Sequence, residues 1–168
     1  MLTTVLGSCV SACIHDPRRR IGGMNHFLLP DGPGGGDMRY ASAAMERLVN
    51  ALLKHGADRR RLQAKLFGGA RMIAGLMDIG RRNGDAALNF LETEGIACIS
   101  LSLGGTRARR VRFWPESGRA QQLLLDPQVD DPRLPARFEP GPVELFCTTP
   151  AGTAAPIPAS TPATEACK

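Results

Sequence analysis

The stretch MLTTVLGSCVSACIHDPRRRIGGMNHFL, residues 1–28, decides how this chain folds and where its chemistry sits. Residues 3–14 mix β-branched and small side chains, which suits extended chain. Asp16-Pro17 opens a turn, and residues 21–28, IGGMNHFL, supply a partner strand across it. In such a hairpin Cys9, which follows Gly7-Ser8, and His26, seventeen residues further on, come to the same end of one sheet.

Free cysteine is often a small buried hydrophobe. That reading suits Cys13 and also Cys98, in an apolar strand after Gly95, while Cys147 and Cys167 fall in the tail. Metal binding by Cys9, Cys13, His15 and His26 conflicts with a strand. At about 3.3 Å per residue Cys9 and Cys13 lie roughly 13 Å apart, and a zinc–sulfur bond is about 2.3 Å. The same distance excludes a disulfide between them. Cys9 differs in its setting. The preceding glycine lets the backbone turn tightly and leave the thiol at a strand mouth, where a backbone N–H can serve an oxyanion. A thiolate needs a base, and His26 supplies one from the next strand. His15 at a turn and His55 at a helix end are weaker candidates. A third group must orient the imidazole. Thr3 or Thr4 can do so through its hydroxyl, and alternation puts Thr3 on the face of Cys9 only if no bulge intervenes.

Working outward, residues 40–55 place Ala41, Met45, Leu48, Val49, Leu52 and Leu53 at helical spacing, with Gly56 as the stop. Residues 62–67 read as a strand ending at Gly68-Gly69, and 81–94 as a second amphipathic helix ending at Gly95. Residues 96–103 are a further strand, and RRVRFWP and RAQQLLL form a hairpin across Glu116-Ser117-Gly118. The loop at 30–37 is flexible by composition. The sum is an α/β or α+β domain over residues 1–126, with a mixed sheet and two main helices. Nine of the thirteen prolines fall between Pro127 and Pro162. The Pro/Ala/Thr-rich tail, 127–168, is expected to be largely disordered. One island in it, 143–146, is suited to docking on the domain.

The chain carries 168 residues and a net charge of +5, and only three of its 21 basic residues are lysines. One Trp and one Tyr offer few platforms for stacking bases, so nucleic acid is not an expected partner. Five irregularly spaced cysteines suit reduced thiols and the cytoplasm. No run has the length of a membrane span, and the N-terminus has no secretory pattern. Gly68-Gly69 and Gly104-Gly105 do not fit the Lys-bearing phosphate loop and read as tight turns beside the active site. Arg107, Arg109, Arg110 and Arg112 read as the solvated face of a basic strand, with an acidic receptor helix as the alternative partner.

TTVLGSCVSACIHDPRRRIGGMNHFLLP resembles the signature of the chemoreceptor glutamine deamidase family, CheD. The likeness continues through RYASAAMERLVNALLKHGADRRRLQAKLFGGA, DIGRRNGDAALNFLETEGI and LGGTRARRVRFWPESGR, over about residues 3–125, and VELF is similar to the end of many members. The resemblance implies a layered α/β sandwich related to papain-like and toxin-type deamidases. It implies a cytoplasmic enzyme that converts glutamines of methyl-accepting chemotaxis receptors to glutamate, with no cofactor and no metal. It assigns Cys9 as nucleophile, His26 as base and Thr3, six residues before the cysteine, as third member. A CheC-type phosphatase is an implied partner. Family members carry roughly twenty residues before that Thr, including a strand, whereas Met1 stands two residues before Thr3, so a frayed Thr3 with a weakened orienting role is expected. On that ground a non-catalytic module that binds receptors or the phosphatase is the alternative function.

Overall fold

The computed structural model describes residues 1–28, 36–72, 79–125 and 144–146. It is an α+β sandwich of two sheets and two helices. A five-stranded mixed sheet has the order β5-β4-β2-β3-β8, and a three-stranded antiparallel sheet has the order β1-β6-β7. The strands are β1 Leu2–Leu6, β2 Val10–Asp16, β3 Ile21–Met24, β4 Gln63–Gly68, β5 Ala97–Leu103, β6 Arg109–Trp114, β7 Arg119–Leu124 and β8 Glu144–Phe146. The helices are α1 Gly36–Lys54 and α2 Ile79–Thr93. Among the described residues only the β4–β5 pair is parallel, and α2 lies between those two strands in the chain.

Every residue of β2 is buried, because it is covered on both faces. Val10, Ala12 and Ile14 pack with Met45, Leu48, Val49 and Leu52 of α1 and Ala86, Ala87 and Leu91 of α2. The alternate residues face the other layer, where Cys13 packs with Leu2, Leu6, Phe67, Val111 and Phe113. Full burial of each Leu or Met on the helix side contributes about 2 kcal/mol. The spacing that predicts α1 is the spacing of its buried face.

Residues 3–14 are not one extended stretch. Gly7-Ser8 bends the chain, so β1 joins the three-stranded sheet and β2 the five-stranded one. β1 is paired along its whole length, from Leu2 opposite Phe113 to Leu6 opposite Arg109, so Thr3 is not on a frayed end. The β2–β3 turn is held by Asp16, whose carboxylate accepts from the N–H groups of Arg18, Arg19 and Asp58 and pairs with Arg61 at 3.0 Å. Burial opposes that charge, but the Arg61 guanidinium and these N–H groups prevail and pull the carboxyl down to about 2.

Two surface expectations are corrected. Cys98 is exposed, because β5 is a sheet edge with little covering it. Arg109 is buried rather than solvated, its guanidinium donating to the Ser102 and Gly104 carbonyls and so tying β6 to the end of β5. Residues 144–146 pair with the β3 edge, Gly22 opposite Phe146. The loop at 30–35, the rest of the 127–168 tail, Cys147 and Cys167 lie outside the described residues.

Candidate active site

Cys9 and His26 flank one bridge between β2 and the segment after β3. Val10 N–H donates to Phe27 O at 3.0 Å and Phe27 N–H to Val10 O at 2.9 Å. The register is the one that pairs Cys13 with Met24, so the hairpin continues to this point without a slip. Val10 and Phe27 both enter the helix-side core. Their predecessors Cys9 and His26 therefore leave the opposite face, towards the three-stranded sheet. They are diagonal neighbours, positions whose Cα atoms stand about 7–8 Å apart in a regular antiparallel pair, a spacing that thiol and imidazole can span. Both are half-buried.

Asn25 holds this end of the hairpin in place. Its Oδ1 accepts from Ala12 N–H at 2.9 Å and its Nδ2 donates to Ala44 O of α1 at 3.3 Å, while Ser11 Oγ donates to its carbonyl at 2.6 Å. A buried asparagine thus satisfies backbone groups where the regular ladder ends.

The hydroxyl beside His26 belongs to Thr4, not to the Thr3 that the resemblance implies. Thr4 Oγ1 lies 2.9 Å from His26 Nδ1. Thr3 Oγ1 instead donates to Val111 O at 3.1 Å, and Thr3 is exposed. The reason is parity. Leu2 and Leu6 point into the space between the sheets, so Thr4 does too and Thr3 does not. The bend at Gly7-Ser8 breaks the alternation that would have put Thr3 on the face of Cys9.

The backbone at Cys9 is fixed by three successive carbonyls. Gly7 O accepts from Ala70 N–H at 2.8 Å, Ser8 O from Asn83 Nδ2 at 2.9 Å, and Cys9 O from Gly69 N–H at 2.8 Å. Gly68 has φ +112°, and a Cβ there would run into the Cys9 carbonyl, so this close approach requires glycine. The pair Gly68-Gly69 serves as a tight support under the cysteine.

Burial pushes the Cys9 thiol above its ordinary value, with its own backbone N–H drawing it the other way. Burial also holds the His26 imidazole down at about 4. At neutral pH the two are a neutral thiol beside a neutral base, and a proton must pass between them as the sulfur reacts. Cys13, four residues on, is pushed by burial up to about 12 and is 1% exposed, which leaves it inert. His15, on the same face of β2, is buried under the β6–β7 turn, where a Cβ on Gly118 would collide with its ring. His55 Nδ1 lies 2.8 Å from Ala51 O at the end of α1.

The family model for CheD chemotactic sensory transduction matches residues 28–122. A protein of Acidiphilium cryptum (strain JF-5), named "Probable chemoreceptor glutamine deamidase CheD", is 54% identical over 158 residues, covering 90% of this chain and 82% of its own. This chain belongs to the CheD family. A second CheD relative of the same name, from Caulobacter vibrioides (strain NA1000 / CB15N), is 52% identical over 157 residues and covers 87% of this chain and 84% of its own. A third CheD relative, from Cereibacter sphaeroides, is 55% identical over 124 residues, 73% of this chain. The two-sheet, two-helix fold is consistent with CheD membership. Asn25 and Asn83 were not singled out from the sequence. Asn25 had one signal, a polar residue beside the small and apolar run GGM, whereas Asn83 sits among Arg81, Arg82 and Asp85 in the first turns of a helix, where nothing local marks it as buried.

Proposed function

We propose that this chain is a protein-glutamine deamidase acting on chemotaxis receptors, with Cys9 as nucleophile, His26 as base and Thr4 as the group that orients His26. One observation carries the reading. A half-buried cysteine and a half-buried histidine leave the same sheet face as diagonal neighbours, and the histidine's Nδ1 is engaged by a threonine from the facing sheet. The names of the relatives supply the substrate class.

The chemistry follows from the neutral pair. With Nδ1–H donating to Thr4 Oγ1, His26 presents the Nε2 lone pair as base. Cys9 Sγ gives its proton to Nε2 and bonds to the glutamine side-chain carbonyl carbon, and the carbonyl electron pair moves to oxygen. Collapse of that oxyanion breaks the C–N bond. The nitrogen takes the proton from His26 and leaves as ammonia. Water then passes a proton to His26 and adds to the thioester carbon. The second collapse breaks the C–S bond, and sulfur recovers the proton. The balance is glutamine and water to glutamate and ammonia, so the receptor gains one negative charge. This chemistry calls for no metal and no cofactor.

Among the described residues no helix is long and apolar enough to cross a membrane. The enzyme is assigned to the cytoplasm, where receptor signalling domains lie. The family resemblance adds a CheC-type phosphatase as a partner, to be tested by co-purification.

The deciding experiment incubates the full chain with receptor fragments and follows mass. Each deamidated glutamine gains about 1 Da, the amide-to-acid difference left by thioester hydrolysis. The gain is expected to vanish in Cys9→Ala and persist in Cys13→Ala. Equal activity in the two variants overturns the nucleophile, and receptor binding without any mass gain in the unaltered chain marks a binding module instead.

A further inference from the structure

The peptide that joins Ser8 to Cys9 is held from outside the hairpin. Asn83, in the second turn of α2, is fully buried, and its Nδ2 donates to Ser8 O at 2.9 Å. No peptide bond among the described residues is cis. In a trans peptide the C=O of one residue and the N–H of the next point in opposite directions. Drawing Ser8 O towards α2 therefore turns Cys9 N–H away from α2. That amide belongs to the residue whose sulfur reacts. An oxyanion formed on a carbon bonded to that sulfur lies next to the same N–H.

The helix that carries Asn83 cannot shift easily. A Cβ on Gly80 would run into the carbonyls of Gly69 and Ala70, and a Cβ on Gly84 would press within 2.9 Å of Leu103 Cδ1. Gly69 and Ala70 are themselves bonded to Cys9 O and Gly7 O. The two glycines bring α2 close enough for the short asparagine side chain to reach Ser8.

We propose that Asn83 is a positioning residue for the oxyanion site: through Ser8 O it orients the Ser8–Cys9 peptide so that Cys9 N–H donates to the tetrahedral intermediate. This rests on the deamidase reading above. Asn83 acts through the Ser8 carbonyl, and its effect is confined to steps that develop an oxyanion. Alkylation of Cys9 by iodoacetamide is a displacement at carbon with no oxyanion, so it separates the two roles.

The test compares wild type, Cys9→Ala, Asn83→Ala and Asn83→Asp as full chains, with a receptor fragment as substrate. Asn83→Ala is expected to lower kcat by about 30- to 100-fold, at or below the roughly 100- to 1,000-fold cost of losing one oxyanion donor because the N–H is misdirected rather than removed, with KM and the Cys9 alkylation rate within about 3-fold of wild type. In Asn83→Asp an ionised carboxylate faces the Ser8 carbonyl, acceptor against acceptor, whereas the protonated acid can donate. Its kcat relative to wild type is expected to rise about 10-fold between about pH 8 and about pH 6, as that buried acid takes up its proton. A kcat within about 3-fold of wild type in Asn83→Ala overturns the assignment, as does an alkylation rate that falls in step with kcat. If Asn83→Ala does not fold, the pH profile of Asn83→Asp decides, and a flat ratio overturns it. Failure of both variants to fold makes Asn83 a structural residue and also overturns it. A wild type with no activity, or an active Cys9→Ala, removes the deamidase reading and this assignment with it. An active wild type with an insensitive Asn83→Ala removes the assignment alone.

Discussion

Replacing Thr4 by valine keeps the side chain's branching and bulk but removes the oxygen 2.9 Å from His26 Nδ1. In the resting pair the imidazole is neutral, so that hydrogen bond is worth about 1 kcal/mol net. When Cys9 passes its proton to His26 the ring becomes a cation, and the same contact becomes charge-assisted, worth about 1.5–3 kcal/mol. Only what is stronger in the transition state lowers the barrier. Valine also frees the ring to rotate away from the sulfur. Together these losses should reduce kcat by about 10- to 100-fold, at about 1.4 kcal/mol per factor of ten. The assay is ammonia release, or the mass gain of a receptor fragment, under saturating substrate. Thr4→Ser keeps the hydroxyl and should restore kcat to within a few-fold of wild type. Thr3→Val, which alters an exposed hydroxyl bonded to Val111 O, should leave kcat within about 2-fold. A full-speed Thr4→Val together with a slow Thr3→Val would refute the parity of β1 inferred from Leu2 and Leu6.

The remaining expectations concern pH, reactivity and support. Because burial holds His26 at about 4, the acid limb of kcat/KM should lie nearer pH 4 than the usual 6.5 of histidine, which a pH–rate profile reads directly. The unfolded chain binds a proton at His26 that the fold does not. Stability from this residue is therefore complete above about pH 6.5 and falls by about 3 kcal/mol as the pH drops towards 4, checked by urea midpoints across that window. Iodoacetamide with peptide mapping should label Cys9 in the native protein and Cys13 only after unfolding, since Cys13 is buried and pushed up to about 12. Asn25→Ala should cost about 2–3 kcal/mol by leaving the Ala12 N–H without the Oδ1 it meets at 2.9 Å, and should lower kcat as well because His26 is the next residue; thermal melts and turnover measure the two effects.

Much of the fold was legible because its periods are regular. Ala41, Met45, Leu48, Val49 and Leu52 repeat at helical spacing and are the buried stripe of α1. The β6–β7 hairpin announces itself by a turn between two β-rich runs, and its register runs from Trp114 opposite Arg119 to Arg109 opposite Leu124. Sheet membership was not legible. Nothing local in TTVLGSCVSACIHD says that its two halves pair with different sheets, since that depends on β6, about a hundred residues away. The basic run at 107–112 likewise hides one buried arginine, Arg109, because a guanidinium that finds two carbonyl acceptors tolerates burial that composition argues against.

The sequence by itself placed Cys9 and His26 at one end of a hairpin, through a seventeen-residue spacing across a short turn, and the family resemblance rather than the spacing singled them out as a pair. Tertiary structure decided what surrounds them. Whether Thr3 or Thr4 meets His26 depends on which face of β1 looks across at the larger sheet, and a bend at Gly7-Ser8 resets that parity. Which group holds the Ser8–Cys9 peptide depends on how closely two glycines let α2 approach. Short-range contacts are encoded in spacing. Contacts between layers depend on how separate faces pack, and that is set only when the whole core closes.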